Sequence, residues 1–191
     1  DISRVVQSFP GVASTAAFRN DIIVRGGGPS ENRFFLDGVE IPNINHFSTQ
    51  GASGGPVGII NPDFIREVNF YAAAFPAARG NALSSVLDFK LQDGNQEKSS
   101  ARAVVGASEV AFSANGPLGK KTTYLVSVRR SYLQFLFKAI GLPFLPTYTD
   151  AQFKIKHQID KQNEISFIGL GALDDMKLNT GMKDMSDENK Y

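Results

Sequence analysis

Histidine and cysteine are natural places to look for chemistry, and this chain of 191 residues holds two of the first and none of the second. His46 and His157 lie far apart in sequence, so a zinc site of three or four protein ligands would need carboxylates from scattered places, and no metal centre is expected. Serine, histidine and aspartate all occur, yet no G-x-S-x-G elbow is present. The nearest approach, G-A-S-G-G at residues 51–55, reads as a flexible loop. Gly26, Gly27 and Gly28 invite a phosphate-loop reading, but neither G-x-x-x-x-G-K-[ST] nor G-x-G-x-x-G is matched, and Pro29 follows at once. Such glycines suit a strand that turns through positive φ. The expectation is therefore no catalytic residue, no cofactor and no enzyme, which leaves binding.

With 20 basic and 19 acidic residues the net charge is +1, so no one-sided field points to nucleic acid. The longest apolar run, residues 132–145, is broken by Gln134, Lys138, Gly141 and Pro143 and falls short of the roughly 20 residues of a spanning helix. The N-terminus does not read as a signal peptide. Absence of cysteine fits a cytosolic or a periplasm-facing protein equally.

Two kinds of periodicity divide the chain. In the first half, Ile2, Val5, Val6 and Phe9 fall at helical spacing, with Asp1 placed as an N-cap and Pro10-Gly11 as a stop. Residues 22–25 and 33–36 read as strands, and 39–41 as a hairpin partner across Asp37-Gly38. The Gly-, Ser-, Asn- and Pro-rich stretch 42–62 reads as an exposed binding loop. Asn61-Pro62-Asp63 supplies a cap and a proline for one turn, after which 66–71 and 83–91 are strands. Asp93 to Ser100 is a polar linker. Beyond it, plain alternation takes over: Phe153, Ile155 and Ile159 oppose Gln152, Lys154, Lys156 and Gln158, an order that suits a wall between lipid and a wet lumen. Short connections at 115–121 and 160–163 and a long one at 131–147 place periplasmic turns and an extracellular loop. Parity then requires residues 101–114 to be two strands bent near 106–109, five strands in all.

The run N-D-I-I-V-R-G-G-G-P-S-E-N-R-F-F-L-D-G-V-E-I at residues 20–41, with F-P-G-V at 9–12, resembles the plug domain of TonB-dependent outer-membrane receptors. F-I-R-E-V-N-F at 64–70, A-R-G at 78–80 and S-S-V-L-D-F at 84–89 follow in the family's order, although Phe70-Tyr71-Ala72 stands where many members carry Lys-Gly. The resemblance covers residues 1 to about 92. It implies an α+β plug domain, a small mixed sheet with short helices, followed by antiparallel β-strands of an incomplete transmembrane β-barrel. The organisation expected is plug 1–92, linker 93–100 and barrel strands 101–191, truncated.

By the same resemblance the chain is a fragment of an active importer of a scarce nutrient (ferric siderophore, cobalamin or glycan), set in outer-membrane lipid. TonB of the inner-membrane complex would pull on a segment N-terminal to residue 1. Asn43, Asn45, His46, Phe47 and Gln50 would contact the nutrient from the plug apex. Arg25, Arg66, Glu67 and Arg79 would lock the plug, with Arg25 and Arg79 facing barrel carboxylates, Glu109 among them. Five strands cannot close a barrel, since about eight is the minimum, so the fragment is expected to self-associate through open edges. The rival readings are a soluble β-rich adhesion or carbohydrate-binding module and, less well motivated, an enzyme using the glycine run for a phosphorylated ligand. A signalling variant of the receptor would carry a further N-terminal domain.

Overall fold

Apolar residues at alternate positions of three segments, Phe34 and Leu36, Leu87, Phe89 and Leu91, and Ile22 with Val24, are all buried and make the core of the N-terminal half. A computed structural model describes residues 2–13, 20–49, 52, 55, 57–72 and 74–179. Its first elements are α1 (Ile2–Val6), β1 (Val12–Ala13) and β2 (Ile23–Val24), the two strands pairing antiparallel. A four-stranded sheet follows: β3 (Asn32–Leu36), β4 (Val39–Ile41), β5 (Ile65–Tyr71) and β6 (Ser85–Leu91), in the order β4-β3-β6-β5. β3 and β6 run parallel and the other pairs antiparallel, so this is a mixed sheet. β6, S-V-L-D-F-K-L, is buried along nearly its whole length, as a strand with a parallel neighbour and cover on both faces should be.

Asp37 and Gly38 both take positive φ, 48° and 89°, the two left-handed positions that a tight hairpin demands. The Asp37 carboxylate also accepts the Leu91 N–H at 2.9 Å, tying the hairpin to the end of β6. Asn61 caps the turn Pro62–Phe64 through its side chain, which accepts the Asp63 N–H. The first helix departs from expectation. Val5 is exposed while Ser3 and Val6 are buried, because the Ser3 hydroxyl donates inward to Asn45 at 3.1 Å. The expected cap Asp1 lies outside the described residues.

The second half is an antiparallel meander of β7 (Ser100–Val105), β8 (Glu109–Pro117), β9 (Thr122–Ser131), β10 (Phe144–Gln158) and β11 (Glu164–Leu178). The long connection carries a short helix, α2 (Leu133–Ala139), closed by Gly141 at φ 70° and a Leu142 N–H to Phe137 carbonyl bond. Among the described residues the sheet does not close, and β7 and β11 each keep one unpaired edge. β10 and β11 have 15 residues each, more than the 9–11 or so that a tilted spanning strand needs.

Register sorts the faces of this wall. Leu125, Ser127, Arg129 and Ser131 of β9, with Tyr148, Asp150, Gln152 and Lys154 of β10, point at the N-terminal half and are buried there. Phe112, Val128, Phe153 and Phe167 project from the other face and are exposed. Polar cross-strand pairs bracket that apolar band: Thr122 with His157 at 2.8 Å at one end, Arg130 with Thr149 at the other. A soluble sandwich would bury such a face under a second sheet; here the buried face is the polar one.

Gly94 crosses β9 so closely that a Cβ would overlap the Tyr124 backbone. Backbone cannot swing aside as a side-chain tip can, so Gly94→Ala should destabilise the attachment of residues 93–100 by about 1–3 kcal/mol. Thermal unfolding of the full-length variant in detergent checks this, with Gly171→Ala, where a Cβ would meet nothing within 4 Å, as the neutral comparison.

Candidate functional site

Two segments of the stretch 42–62 form a narrow antiparallel neck. The His46 N–H bonds the Val57 carbonyl and the Ile59 N–H the Ile44 carbonyl, each at 2.8 Å, around an Asn45–Gly58 bridge. Asn43 sets up the approach with an Asx turn, its side-chain oxygen accepting the Asn45 N–H at 3.3 Å and the Ile44 N–H at 2.8 Å, while its amide donates to the Asn45 carbonyl at 2.7 Å. This delivers His46, fully buried, against the upper end of the wall, the end nearer α2.

There the imidazole stacks on Tyr148, ring centroids 4.1 Å apart, and both nitrogens face carboxylates: Nε2 to Asp150 at 2.9 Å, Nδ1 to Asp174 at 2.6 Å. Asp150 is shared with Arg129, whose Nε donates at 3.0 Å. The same guanidinium donates to the Gly58 and Ile59 carbonyls, each at 2.7 Å, gripping the other side of the neck. Tyr148 in turn donates its hydroxyl to Glu109. One network thus joins β8, β9, β10 and β11 to both segments of the neck.

Lower down, the Asn61 N–H donates to Gln152 at 3.0 Å and its side chain to Ser127 at 2.9 Å. At the bottom the sense of charge reverses. Lys154 reaches Asp37 at 3.0 Å and Asp93 at 2.9 Å, Lys156 reaches Asp93 at 2.8 Å and Glu164 at 2.9 Å, and Arg102 pairs with Asp63 at 2.8 Å. The upper tier sets a base of the N-terminal half against acids of the wall, and the lower tier sets its acids against wall bases. Burial raises the Asp93 carboxyl, but the hydrogen bonds and charges of Lys156 and Lys154 outweigh it and hold it below the ordinary aspartate value. A depressed carboxyl contributes stability that is complete above its ordinary range and lost as pH falls through its lower folded value. Acid should therefore loosen the lower tier, and Asp93→Asn should remove part of that acid sensitivity in a pH series of urea unfolding.

Of the residues expected to lock the two halves, Arg79 and Glu109 have other partners. Arg79 pairs with Asp88 at 2.8 Å and lies over the Phe35 ring at 4.5 Å, so its partner is inside its own half and not on the wall. Glu109 meets Tyr148 and, among the described residues, no arginine, because its β8 position faces the inward tyrosine. Arg25 is exposed beside Gly11 and has no ionic partner among the described residues. Arg66 and Glu67 are exposed on β5; Glu67 accepts from Asn69, and Arg66 lines a cavity of about 360 Å³ with Asp93, Lys154 and Lys156. The loop is not the exposed surface expected, since Asn45 and His46 are buried by their contacts with α1 and the wall. Asn43 and Phe47 are half-buried, and Gln50 lies outside the described residues.

A sheet wall dry and apolar outside, wet and polar inside, with a mixed α+β unit seated on its wet face, defines the class of outer-membrane barrels that carry an internal stopper. Residues 1–86 match the family model of the TonB-dependent receptor plug domain, a domain of the TonB-dependent receptors, whose place is the bacterial outer membrane. These are transporters and receptors, not a family of enzymes. No curated protein matches. Among solved structures, the siderophore receptor PirA of Acinetobacter baumannii superposes with a TM-score of 0.64 at 18% identity, over 92% of this chain and 29% of that one. PirA of Pseudomonas aeruginosa gives 0.62 at 15% identity, over 91% and 30%. A variant of the ferric enterobactin receptor PfeA of Pseudomonas aeruginosa, in complex with enterobactin, gives 0.58 at 16% identity, over 92% and 31%. At such identities the likeness is one of fold, and the chain spans under a third of the length of these receptors.

Proposed function

We propose that this chain is the plug and opening barrel strands of an active outer-membrane importer, and that the two polar tiers are the releasable attachment of the plug to its wall. The observation that carries the reading is the chemistry of the buried wall face. Of its side chains on β9 and β10, Leu125 and Tyr148 are the large apolar ones, while Ser127, Arg129, Ser131, Asp150, Gln152 and Lys154 are polar. A greasy seam would be permanent; buried ion pairs are near balance against water, so they fix position at a modest net free energy of detachment.

Residues 1–92 are then the plug, 93–100 the linker and 101–191 the first barrel strands, with the barrel completed by sequence outside this stretch. Arg25, Arg66 and Glu67 are assigned to contacts with those further strands. Asn43, Phe47 and Gln50 are the remaining apex contacts for the nutrient, since Asn45 and His46 serve the latch. A ferric siderophore is favoured over cobalamin or a glycan, because the similar structures are receptors for siderophores. TonB supplies the energy from the inner membrane.

Uptake of iron-loaded siderophores by cells carrying only the full-length receptor tests this. Uptake that disappears when TonB is deleted is expected. TonB-dependent uptake of cobalamin or a glycan instead would reassign the nutrient, and the absence of any TonB-dependent uptake would overturn transport.

A further inference from the structure

Phe47 is the aromatic member of the non-glycine residues at positive φ among the described residues, with φ 56°. The left-handed region is unfavourable for a bulky side chain, and such outliers persist where the surroundings over-determine them. The surroundings here are specific. The Phe47 N–H donates to Asp174 Oδ2 at 2.6 Å, while Oδ1 of the same carboxylate takes His46 Nδ1 at 2.6 Å. The Phe47 ring stands edge-on to Tyr148, centroids 6.3 Å apart. Across the neck, a Cβ on Gly55 would lie 3.0 Å from the His46 carbonyl and 3.2 Å from the Phe47 Cβ, so a side chain at 55 would press on this turn. Asp174 is also the accessible half of the latch, its side chain 31% exposed against 2% for Asp150.

We propose that His46-Phe47 is a strained clasp closing the neck of the apex loop, held shut by Asp174, and that it opens when Asp174 lets go. Asp150 keeps its grip on Arg129 and is the fixed side; Asp174, on the next strand, is the release side. Loss of its two contacts frees Phe47 to return to the extended region, which carries His46 off Tyr148 and parts the neck. The clasp rests on the gating reading above and names the point at which that gate yields.

Hydrogen exchange at the His46 and Ile59 amides of the full-length receptor in detergent tests it, in Asp174→Asn, Phe47→Ala and Phe47→Gly variants. Asp174→Asn should speed exchange about tenfold relative to the native residue, the loss of a charge-assisted pair. Phe47→Gly should exchange about fivefold more slowly than Phe47→Ala, since both lose the ring but only glycine relieves the left-handed backbone. If the turn were unstrained, glycine would exchange as fast as alanine or faster through its added freedom, and that result overturns the clasp, as does unchanged exchange in Asp174→Asn. Uptake by Asp174→Asn, which alters no assigned nutrient contact, separates the two readings: the exchange pattern as expected with uptake unaffected leaves the clasp standing and removes its role in gating.

Discussion

Asp150→Ala is expected to weaken plug attachment by about 3–5 kcal/mol, the range for removing one member of a buried ionic cluster. Asp150 is 2% exposed and is the acid shared by Arg129 and His46, so its removal strands a guanidinium that is itself 7% exposed. Two backbone carbonyls would remain to that arginine, and neither carries a full charge. Resistance of the plug to protease across a urea series, in the full-length receptor, measures the loss. The same physics makes a second and less intuitive forecast. Replacing His46, Asp150 and Arg129 together by leucine, leucine and methionine should cost less than Asp150→Ala alone, because no fully buried charge is left unpaired and the Asp174 carboxylate that loses its imidazole is part exposed and keeps the Phe47 N–H. Additive losses would show that the three do not act as one network.

Lys154→Ala should have an effect of similar size, about 3 kcal/mol, for the mirrored reason. Its ammonium, 7% exposed as a residue, stands between Asp37 and Asp93, and without it two carboxylates confront each other beside the Leu91 carbonyl. Asp37 belongs to the β3–β4 hairpin and Asp93 to the linker, so one lysine of β10 fastens both the plug and the linker. The deficit of Lys154→Ala should shrink in acid, where protonation relieves the repulsion, whereas the native lower tier weakens there. Urea unfolding at descending pH gives both trends in one experiment, and parallel pH dependences would contradict the assignment.

Much of this architecture is local chemistry and could be read from the chain. Asp37-Gly38 can serve a two-residue hairpin and does; Asn61-Pro62-Asp63 makes one capped turn; the chain reverses at residues 106–108, where parity between turns and loops requires it. The alternation Gln152, Lys154, Lys156 against Phe153 and Ile155 also separates the two faces of β10 correctly. Which plug residue meets which wall residue is another matter, since that depends on how two separately folded units are set against each other. Arg79 reads as well for a wall contact as for its actual partner Asp88, and only the β6 register decides. His46 offers still less warning: a single imidazole in a Gly- and Asn-rich loop looks solvated until the neck carries it inward. The inward acids of β10 and β11, Asp150 and Asp174, were the signal that a buried base should be sought.

The attachment account is tested most directly by joining plug to wall covalently. These 191 residues hold no cysteine, so Asn61→Cys and Ser127→Cys, whose native side chains touch at 2.9 Å, give a pair unique within this stretch for a short reducible cross-linker, with any cysteine elsewhere in the receptor replaced by serine. The tethered full-length receptor should bind its nutrient yet fail to import it, and reduction should restore import. Import at the native rate with the tether intact would contradict a plug that must leave this face of the wall.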